Sequence, residues 1–366
     1  MSIQSLDISN FRNIKSAKIN CSPDFNLFCG ENAAGKTNLL DAIYYLSNGK
    51  SSQTTLNEAI IHENENQLTL IARILKNNSI LGVQRFQTGS KIIRIDANTT
   101  TQSELSLKLP VLFISANSHY ILTDGPRIRR QFLDWGLFHT NKMFYSEWKK
   151  YQKLISHRNA ALKSRVSKNE LSIWNIALAE SGESLHAMRK QYCFDFLHYF
   201  NIVLNYFKLT FVDIYYDQGW DSNASLISCL ENNYFRELHS AHTLSGPHRA
   251  DLKLSIKNFP AEHKLSQGQQ KLVSYALRFA QGLHFHSLTN QSPIYLIDDL
   301  PSELDTKNRD IAMRFLINLN AQVFLTAINT VSFNNLLKTD SVVNMFHVKH
   351  GEILQSDTLV ENNCFT

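Results

Sequence analysis

The sequence has little of what marks a secreted, membrane-spanning or metal-hydrolase chain. Its five cysteines, Cys21, Cys29, Cys193, Cys229 and Cys364, are scattered, odd in number and form no C-x-x-C pair. That pattern argues against a disulfide scaffold or a cysteine-based zinc site and fits a reducing cytosol. The opening residues MSIQSLDISNFRN contain no apolar h-region, so no secretory signal is expected. The most apolar long stretch, Cys193 to Phe211, is interrupted by Asp195, His198, Asn201, Asn205 and Lys208. It is a poor membrane span and reads as a buried helix. A soluble, cytoplasmic protein is the expectation. The 14 histidines form no H-E-x-x-H or H-x-x-E-H pattern. His284 and His286 flank Phe285 at a spacing that separates them on a helix, so satisfied structural roles are expected. No G-x-S-x-G elbow supports a serine hydrolase. There is no internal repeat, low-complexity tract or sustained heptad run.

What is present is an ordinary globular composition. The 366 residues are 43% hydrophobic and 19% charged, enough for a sizeable core and for two or three domains or one large domain with an insertion. The net charge of +5 permits an anionic partner without requiring one. Ile3, Leu6, Ile8 and Phe11, then Ile14, Ala17 and Ile19, alternate like two strands joined at Arg12-Asn13. Phe25 to Cys29 is a short buried strand, and Leu39, Leu40, Ile43, Tyr44 and Leu46 recur at helical spacing. Residues 68 to 96 read as an antiparallel meander and Val111 to Ile114 as a buried strand. From Arg127 to about Phe207 the text is helical, aromatic and free of proline. Strands return at Phe211 to Ile214, Leu252 to Leu254, Ile294 to Ile297 and Val323 to Thr326.

The strand–loop–helix over residues 25–47 carries the strongest chemical signal. Gly30-Glu31-Asn32-Ala33-Ala34-Gly35-Lys36-Thr37 matches G-x-x-x-x-G-K-[ST]. Backbone N–H groups of such a loop wrap phosphates, and the following helix turns its positive end toward them. Lys36 reaches the β- and γ-phosphates, and Thr37 helps hold Mg²⁺. The apolar run Ile294 to Ile297 ends in Asp298-Asp299. In a phosphate-loop protein such a strand end supplies a Mg²⁺-side carboxylate, here Asp298, and a second carboxylate, Asp299, to orient or deprotonate the attacking water.

Leu265-Ser266-Gln267-Gly268-Gln269 has the form of the ABC signature L-S-x-G-Q and opens a helix. Ser266, Gly268 and Gln269 at a helix N-terminus suit a γ-phosphate. Ser266 also suits a simple helix cap. Because this element usually faces the phosphate loop of another protomer, it implies an ATP sandwich between two chains. Ser302-Glu303-Leu304-Asp305 looks like the D-loop that crosses such a seam.

The basic charge has an address. From Gly125 to Glu170 there are 11 Lys or Arg against 3 Asp or Glu, a local +8 that leaves the rest of the chain slightly acidic. Arg127, Arg129, Arg130, Lys149, Lys150, Lys153 and Arg158 are the candidate DNA-backbone contacts. The arginine triplet has a second reading, in folding or dimer contacts. The interleaved aromatics, with Trp148 and Tyr151 three apart, fit a stripe buried within a helical lobe.

Taken together, Phe11-Arg12-Asn13, Gly30 to Asn38, the L-S-x-G-Q-Q run and the acidic strand end with its S-E-L-D resemble the RecF family of bacterial recombination mediators. Gly125-Pro126-Arg127-Ile128-Arg129-Arg130-Gln131-Phe132-Leu133-Asp134 is similar to that family's G-P-x-x-R-R-x-F-L-D. Tyr151 with His157-Arg158-Asn159-Ala160, Trp174, and Gly246-Pro247-His248-Arg249-Ala250-Asp251 match further family segments. The resemblance covers most of the chain. It implies an α/β, phosphate-loop ABC-type ATPase head of the SMC and Rad50 kind, with an antiparallel β subdomain and an inserted α-helical lobe. Residues 1–120 and 210–366 would form the split head and 121–209 the insertion. It also implies ATP and Mg²⁺ as ligands, ATP-dependent homodimerisation, slow DNA-stimulated ATP hydrolysis, binding to single- and double-stranded DNA at gap junctions, and work with RecR and RecO in RecA loading. Nucleotide contacts would come from Gly30, Glu31, Asn32, Ala33, Ala34, Gly35, Lys36, Thr37 and Asn38, from Asp305, and from Arg12 with Asn13 beside it. Arg12 matches a phosphate-contacting position in related heads.

Departures from the family pattern are local. The loop interior, usually glycine-rich, is Ala33-Ala34. Ser115-Ala116-Asn117-Ser118 stands where S-P-E-D leads into the Q-loop. Gln267 replaces a common Arg or Lys. Thr326 stands where ABC transporters place a switch histidine. A structural SMC-type head is the alternative, but the insertion is too short for tens of heptads. A transporter subunit is a weaker one.

Overall fold

The computed structural model describes residues 2–54, 58–329 and 341–356; Cys364 lies outside the described residues. The chain divides into two compact units, residues 1–118 with 290–366 and residues 119–289. Among the described residues no helix is long and apolar enough to cross a membrane.

The first unit contains two sheets. One is antiparallel, in the order β2-β1-β4-β5-β6-β7, from β1 (Ile3–Phe11), β2 (Ile14–Asn20), β4 (Gln67–Ile74), β5 (Ile80–Phe86), β6 (Lys91–Ile95) and β7 (Asn98–Thr99). Alternation of apolar and polar residues is what makes these strands one-faced: Ile3, Leu6, Ile8 and Phe11 are buried on β1, as are Leu68, Leu70, Ala72 and Ile74 on β4. The other sheet is ordered β15-β14-β3-β13-β12-β8, from β3 (Phe25–Cys29), β8 (Val111–Ile114), β12 (Ile294–Ile297), β13 (Val323–Ala327), β14 (Val343–Lys349) and β15 (Glu352–Ser356). Its strands are parallel except β15. β3, β12 and β13 are buried at every position, as strands covered on both faces must be. Helix α1 (Lys36–Asn48) packs into one core with both sheets, through Leu39, Leu40, Ile43 and Leu46 against Ile8, Leu70, Phe28 and Phe324. Helix α2 (Gln102–Lys108) starts with a Thr101–Glu104 capping box.

The second unit is mainly helical: α3 (Tyr120–Thr123), α4 (Pro126–Thr140), α5 (Phe144–Lys163), α6 (Lys168–Phe207), α7 (Leu226–Asn232), α8 (Tyr234–Ser240) and α9 (Gln267–Thr289). A small sheet, β11-β10-β9, joins them, from β9 (Asp213–Asp217), β10 (Asp251–Ile256) and β11 (Phe259–Pro260). Short helices α10 (Leu300–Glu303) and α11 (Thr306–Asn318) belong to the first unit.

The helical unit therefore runs to Thr289, not to residue 209. The change in composition at 210 marks the end of a helix, but β9, β10 and α9 pack on α4 and α6 and stay with them. The Cys193–Phe211 stretch is also less buried than its composition suggests. Its residues up to Phe207 form the end of α6, whose Phe196, Phe200, Val203, Leu204 and Phe207 are buried while Phe194 is 76% and Tyr206 50% exposed.

Candidate functional site

The phosphate loop joins β3 to α1 at the middle of the parallel sheet, and three backbone devices shape it. Gly30 is packed so closely against the Val348 carbonyl of β14 that a Cβ there has no room. Gly35 has φ +112, and a Cβ on it would meet the Asn13 side chain at 2.7 Å. Ala33, where the family usually has glycine, also adopts a left-handed conformation (φ 63), a strain of about 1–2 kcal/mol for a residue with a Cβ. The two end glycines are thus required by space and by φ, and the alanine interior retains the loop path at some cost.

Lys36 is buried, and its ammonium donates to the carbonyls of Gly30 and Glu31, each at 2.7 Å. Thr37 Oγ1 donates to the Asp298 carboxylate, lying 3.0 and 2.9 Å from its two oxygens. Residues 261 positions apart are brought together because β12 and β3 flank β13 in one parallel sheet. Burial raises the Asp298 pKa, against hydrogen bonds from Thr326 and Thr37 that lower it, with the Asp299 charge adding to the rise. Asp299 is half-buried with φ 49 and ψ 50, and its Oδ1 is buried without a hydrogen-bond partner. A hydroxyl beside a carboxylate, an ammonium held by two carbonyls and an orphaned carboxylate oxygen form the donor set that a Mg²⁺–nucleoside triphosphate needs.

The neighbours of the loop are braces. Asn13 donates to Ala34 O (3.3 Å) and accepts from Asn38 Nδ2 (2.8 Å), and Gly351 N–H, at the β14–β15 turn, donates to the same Ala34 O (2.8 Å). Asn13 and Asn38 therefore bind one another behind the loop. Arg12, with φ 51, holds the fully buried Asp41 of α1 through Nε (3.1 Å) and Nη2 (3.0 Å) and donates to Ser51 Oγ (2.9 Å). Ser51 and Ser52 complete the shell of Asp41. The Asp41–Ser51–Ser52 cluster was not signalled by any motif; only the tertiary pairing identifies it. Glu31 and Asn32 are exposed on the loop. Ser115 N–H donates to Ser118 Oγ at 2.8 Å.

In the second unit Ser266 is exposed and forms a reciprocal cap on α9. Its Oγ accepts from Gln269 N–H (3.3 Å), while Gln269 Oε1 accepts from Ser266 N–H (3.0 Å). Gly268 is exposed with nothing within 4 Å of a Cβ. Asp305 caps α11 through Asn308 N–H (2.9 Å), and this bond with the Asn308 side chain lowers its pKa.

The basic segment separates into two groups. Arg127, Lys149, Lys150 and Lys153 are exposed, the lysines along α5; Lys149 lies over the Tyr145 ring and Lys150 is 3.7 Å from Glu147. Arg158 is a buried cation, which corrects the expectation that it touches DNA; Arg129 and Arg130 are half-buried and bonded within the unit. Arg158 is fully buried and pairs with Glu237 at 2.6 Å, Asn175 at 2.8 Å and Thr243 Oγ1 at 2.8 Å. Arg129 grips both oxygens of Asp251 (2.7 and 3.0 Å), and Arg130 donates to Ala250 O (2.7 Å). Arg189 holds Asp134 (2.9 and 3.0 Å) and Pro247 O (2.7 Å). Tyr151 O–H meets His248 Nδ1 at 2.8 Å while His248 Nε2 meets Thr243 O at 3.0 Å. A carbonyl only accepts, so Nε2 carries the proton and Nδ1 accepts from Tyr151. Burial pushes the His248 pKa down to about 4. The G-P-x-x-R-R, Tyr151 and G-P-H-R-x-D segments thus form one clamp on residues 246–251.

The aromatic residues behave as a core stripe: Phe144 and Tyr151 are buried, and Tyr145 stacks on Trp148 at 6.4 Å. His284 departs from expectation. It is buried against Tyr199 (5.1 Å) and Tyr192 (4.8 Å), but its Nδ1 has no hydrogen-bond partner.

Comparison with known proteins agrees with this architecture. A solved RecF–ATP structure, described as the recombination mediator of the RecFOR pathway, matches with a TM-score of 0.85 at 24% identity, over 97% of each chain. An Smc head domain with an extended coiled coil, from Pyrococcus furiosus, matches with 0.57 at 12% identity over 97% of this chain and 96% of that one. At these identities the likeness establishes the fold, an ABC-type ATPase head. The DNA replication and repair protein RecF of Coxiella burnetii is 41% identical over 355 residues, 96% of this chain and 98% of that protein. RecF of Shewanella baltica is 37% identical over 358 residues, 96% and 99% of the two. With the RecF/RecN/SMC N-terminal domain also matched over residues 2–353, the chain belongs to the RecF family.

Proposed function

We propose that the protein is an ATP-switched, DNA-binding ATPase of recombinational repair. The observation that carries this reading is the convergence of Lys36, Thr37, Asp298 and Asp299 at the ends of β3 and β12. Lys36 donates to two carbonyls, which triphosphate oxygens would replace as its partners. Thr37 and Asp298 would hold Mg²⁺, which when bound neutralises phosphate charge. Asp299, with one carboxylate oxygen unsatisfied, would accept a hydrogen bond from the attacking water and set its line of approach. Ser266, Gly268 and the start of α9 are exposed and would meet the γ-phosphate of a second copy, with Asp305 near the seam. Nucleotide binding would thereby stabilise a homodimer.

DNA would lie on the exposed cations Arg127, Lys149, Lys150 and Lys153. The relatives' names, a DNA replication and repair protein and a mediator of the RecFOR pathway, support replication and repair as the setting; work with RecR and RecO at gaps, help in RecA loading, and slow DNA-stimulated hydrolysis as the release step are further parts of this proposal. Light scattering tests the reading. Mg-ATP should give a dimer that Lys36→Met does not form; a monomer under both conditions overturns it. A gel shift on gapped duplex DNA should appear with ATP and weaken as salt rises.

A further inference from the structure

We propose that Thr326 is the positioning residue of the ATPase centre, its single hydroxyl joining the metal-side carboxylate to the water-side carboxylate. The proposal rests on the reading of Asp298 and Asp299 given above. Thr326 lies on β13, between the loop strand β3 and the acidic strand β12, and is fully buried. Its Oγ1 donates to Asp298 Oδ1 at 2.6 Å and accepts from the Asp299 backbone N–H at 2.8 Å. A hydroxyl has one proton to give, and here it goes to Asp298.

Each contact fixes a different degree of freedom. The bond to Asp298 orients the carboxylate that Thr37 also holds, so two hydroxyls from two strand ends converge on it. The bond from Asp299 N–H anchors a residue whose φ of 49 is unfavourable for a side chain with a Cβ. That backbone sets where the Asp299 carboxylate points. Its Oδ1 remains buried and unpartnered, ready to accept. Thr326 touches both acidic residues, while its own side chain is closed off from solvent. It stands where ABC transporters place a switch histidine, and it acts through the carboxylates instead of on substrate.

Thr326→Val keeps the β-branched shape suited to a buried strand and removes only the hydroxyl; Thr326→Ser keeps the hydroxyl. The full-length proteins are compared by steady-state ATP hydrolysis with gapped DNA, and by binding of a fluorescent ATP analogue in EDTA and in Mg²⁺. The valine variant should lose roughly 10- to 100-fold in kcat, the usual cost of removing an outer partner of a metal ligand. Its KM for Mg-ATP should rise by no more than about threefold, since Thr326 reaches the nucleotide only through the metal-side carboxylate. It should bind nucleotide in EDTA like the parent and gain less from Mg²⁺, and serine should restore most of kcat. Valine turnover equal to the parent's, serine no better than valine, or an equal loss of binding in EDTA would overturn the assignment. If the valine protein does not fold, Thr326→Ala and Thr326→Ser decide by the same criteria. A parent that binds no ATP sinks the ATPase reading and this proposal together. A parent that hydrolyses ATP, matched by the valine variant, sinks only this one.

Discussion

Replacing Arg158 with methionine should destabilise the helical unit without acting directly on DNA binding. The side chain is 0% exposed, and so is that of its partner Glu237. Its guanidinium donates to Glu237 Oε2, Asn175 Oδ1 and Thr243 Oγ1 at 2.6, 2.8 and 2.8 Å. Methionine fills much of the volume but leaves the Glu237 carboxylate with the Leu244 N–H (2.7 Å) as its remaining partner. Breaking a buried ion pair by removing one member costs about 3–5 kcal/mol, most of it from the charge left behind. For a unit of this size each kcal/mol lowers Tm by about 2–4 °C, so calorimetry should show a fall of roughly 6–20 °C. Pairing the change with Glu237→Gln should recover part of it, because the stranded charge is gone. Lys153→Ala, at an exposed position, is the control: Tm should hold, while DNA affinity drops and its salt slope flattens by about one unit. The reasoning is refuted if the Arg158 variant melts within about 2 °C of the parent while losing DNA affinity, since the guanidinium would then work at the surface.

Other outcomes follow from the same geometry. Gly351→Ala should weaken ATP binding about tenfold or more by equilibrium titration, since the residue has φ +83 and is packed against the Asn13 carbonyl beside the loop. Ala33→Gly should leave the loop path unchanged and bind ATP at least as well as the parent, because it relieves a left-handed alanine. Acid should destabilise the helical unit. His284 is buried and its pKa is lowered to about 4, whereas the unfolded chain takes up the proton near 6.5. The unfolded state then binds more protons between these values, so stability falls as pH drops from about 6.5 to about 4, by about 2–3 kcal/mol at pH 4.5. Denaturant melts across that range check the sign; stability that is flat or rises on acidification contradicts it.

The phosphate loop, the acidic strand end and the strand–helix alternation around them were legible because each is local. Spacing within eight residues sets the loop, and apolar runs set the buried strands. Thr37 and Asp298 carried their partnership in residue type alone, and the parallel order β3-β13-β12 realised it. In the sequence Thr326 is only the residue that stands where a switch histidine is expected. Its two hydrogen bonds, to Asp298 and from Asp299 N–H, depend on β13 lying beside β12, which no periodicity reveals.

Charge was the property that misled. A local surplus of +8 in the sequence says that cations are concentrated between Gly125 and Glu170, but not which of them meet water. Arg129, Arg130 and Arg158 bond to Asp251, the Ala250 carbonyl and Glu237, all supplied from residues 237–251, and of the three Arg158 is fully buried. Those acceptors lie roughly 80 to 120 positions away, where helical spacing carries no information. Likewise the end of the helical unit at Thr289 is set by α9 packing on α6, not by the composition change at residue 210. The sequence by itself determined that this chain builds a nucleotide loop with an acidic partner strand, because backbone geometry and residue chemistry are encoded within short windows. Only the tertiary structure decided which charges are buried clamps and which stay exposed, because desolvation and pairing are properties of the packed interior.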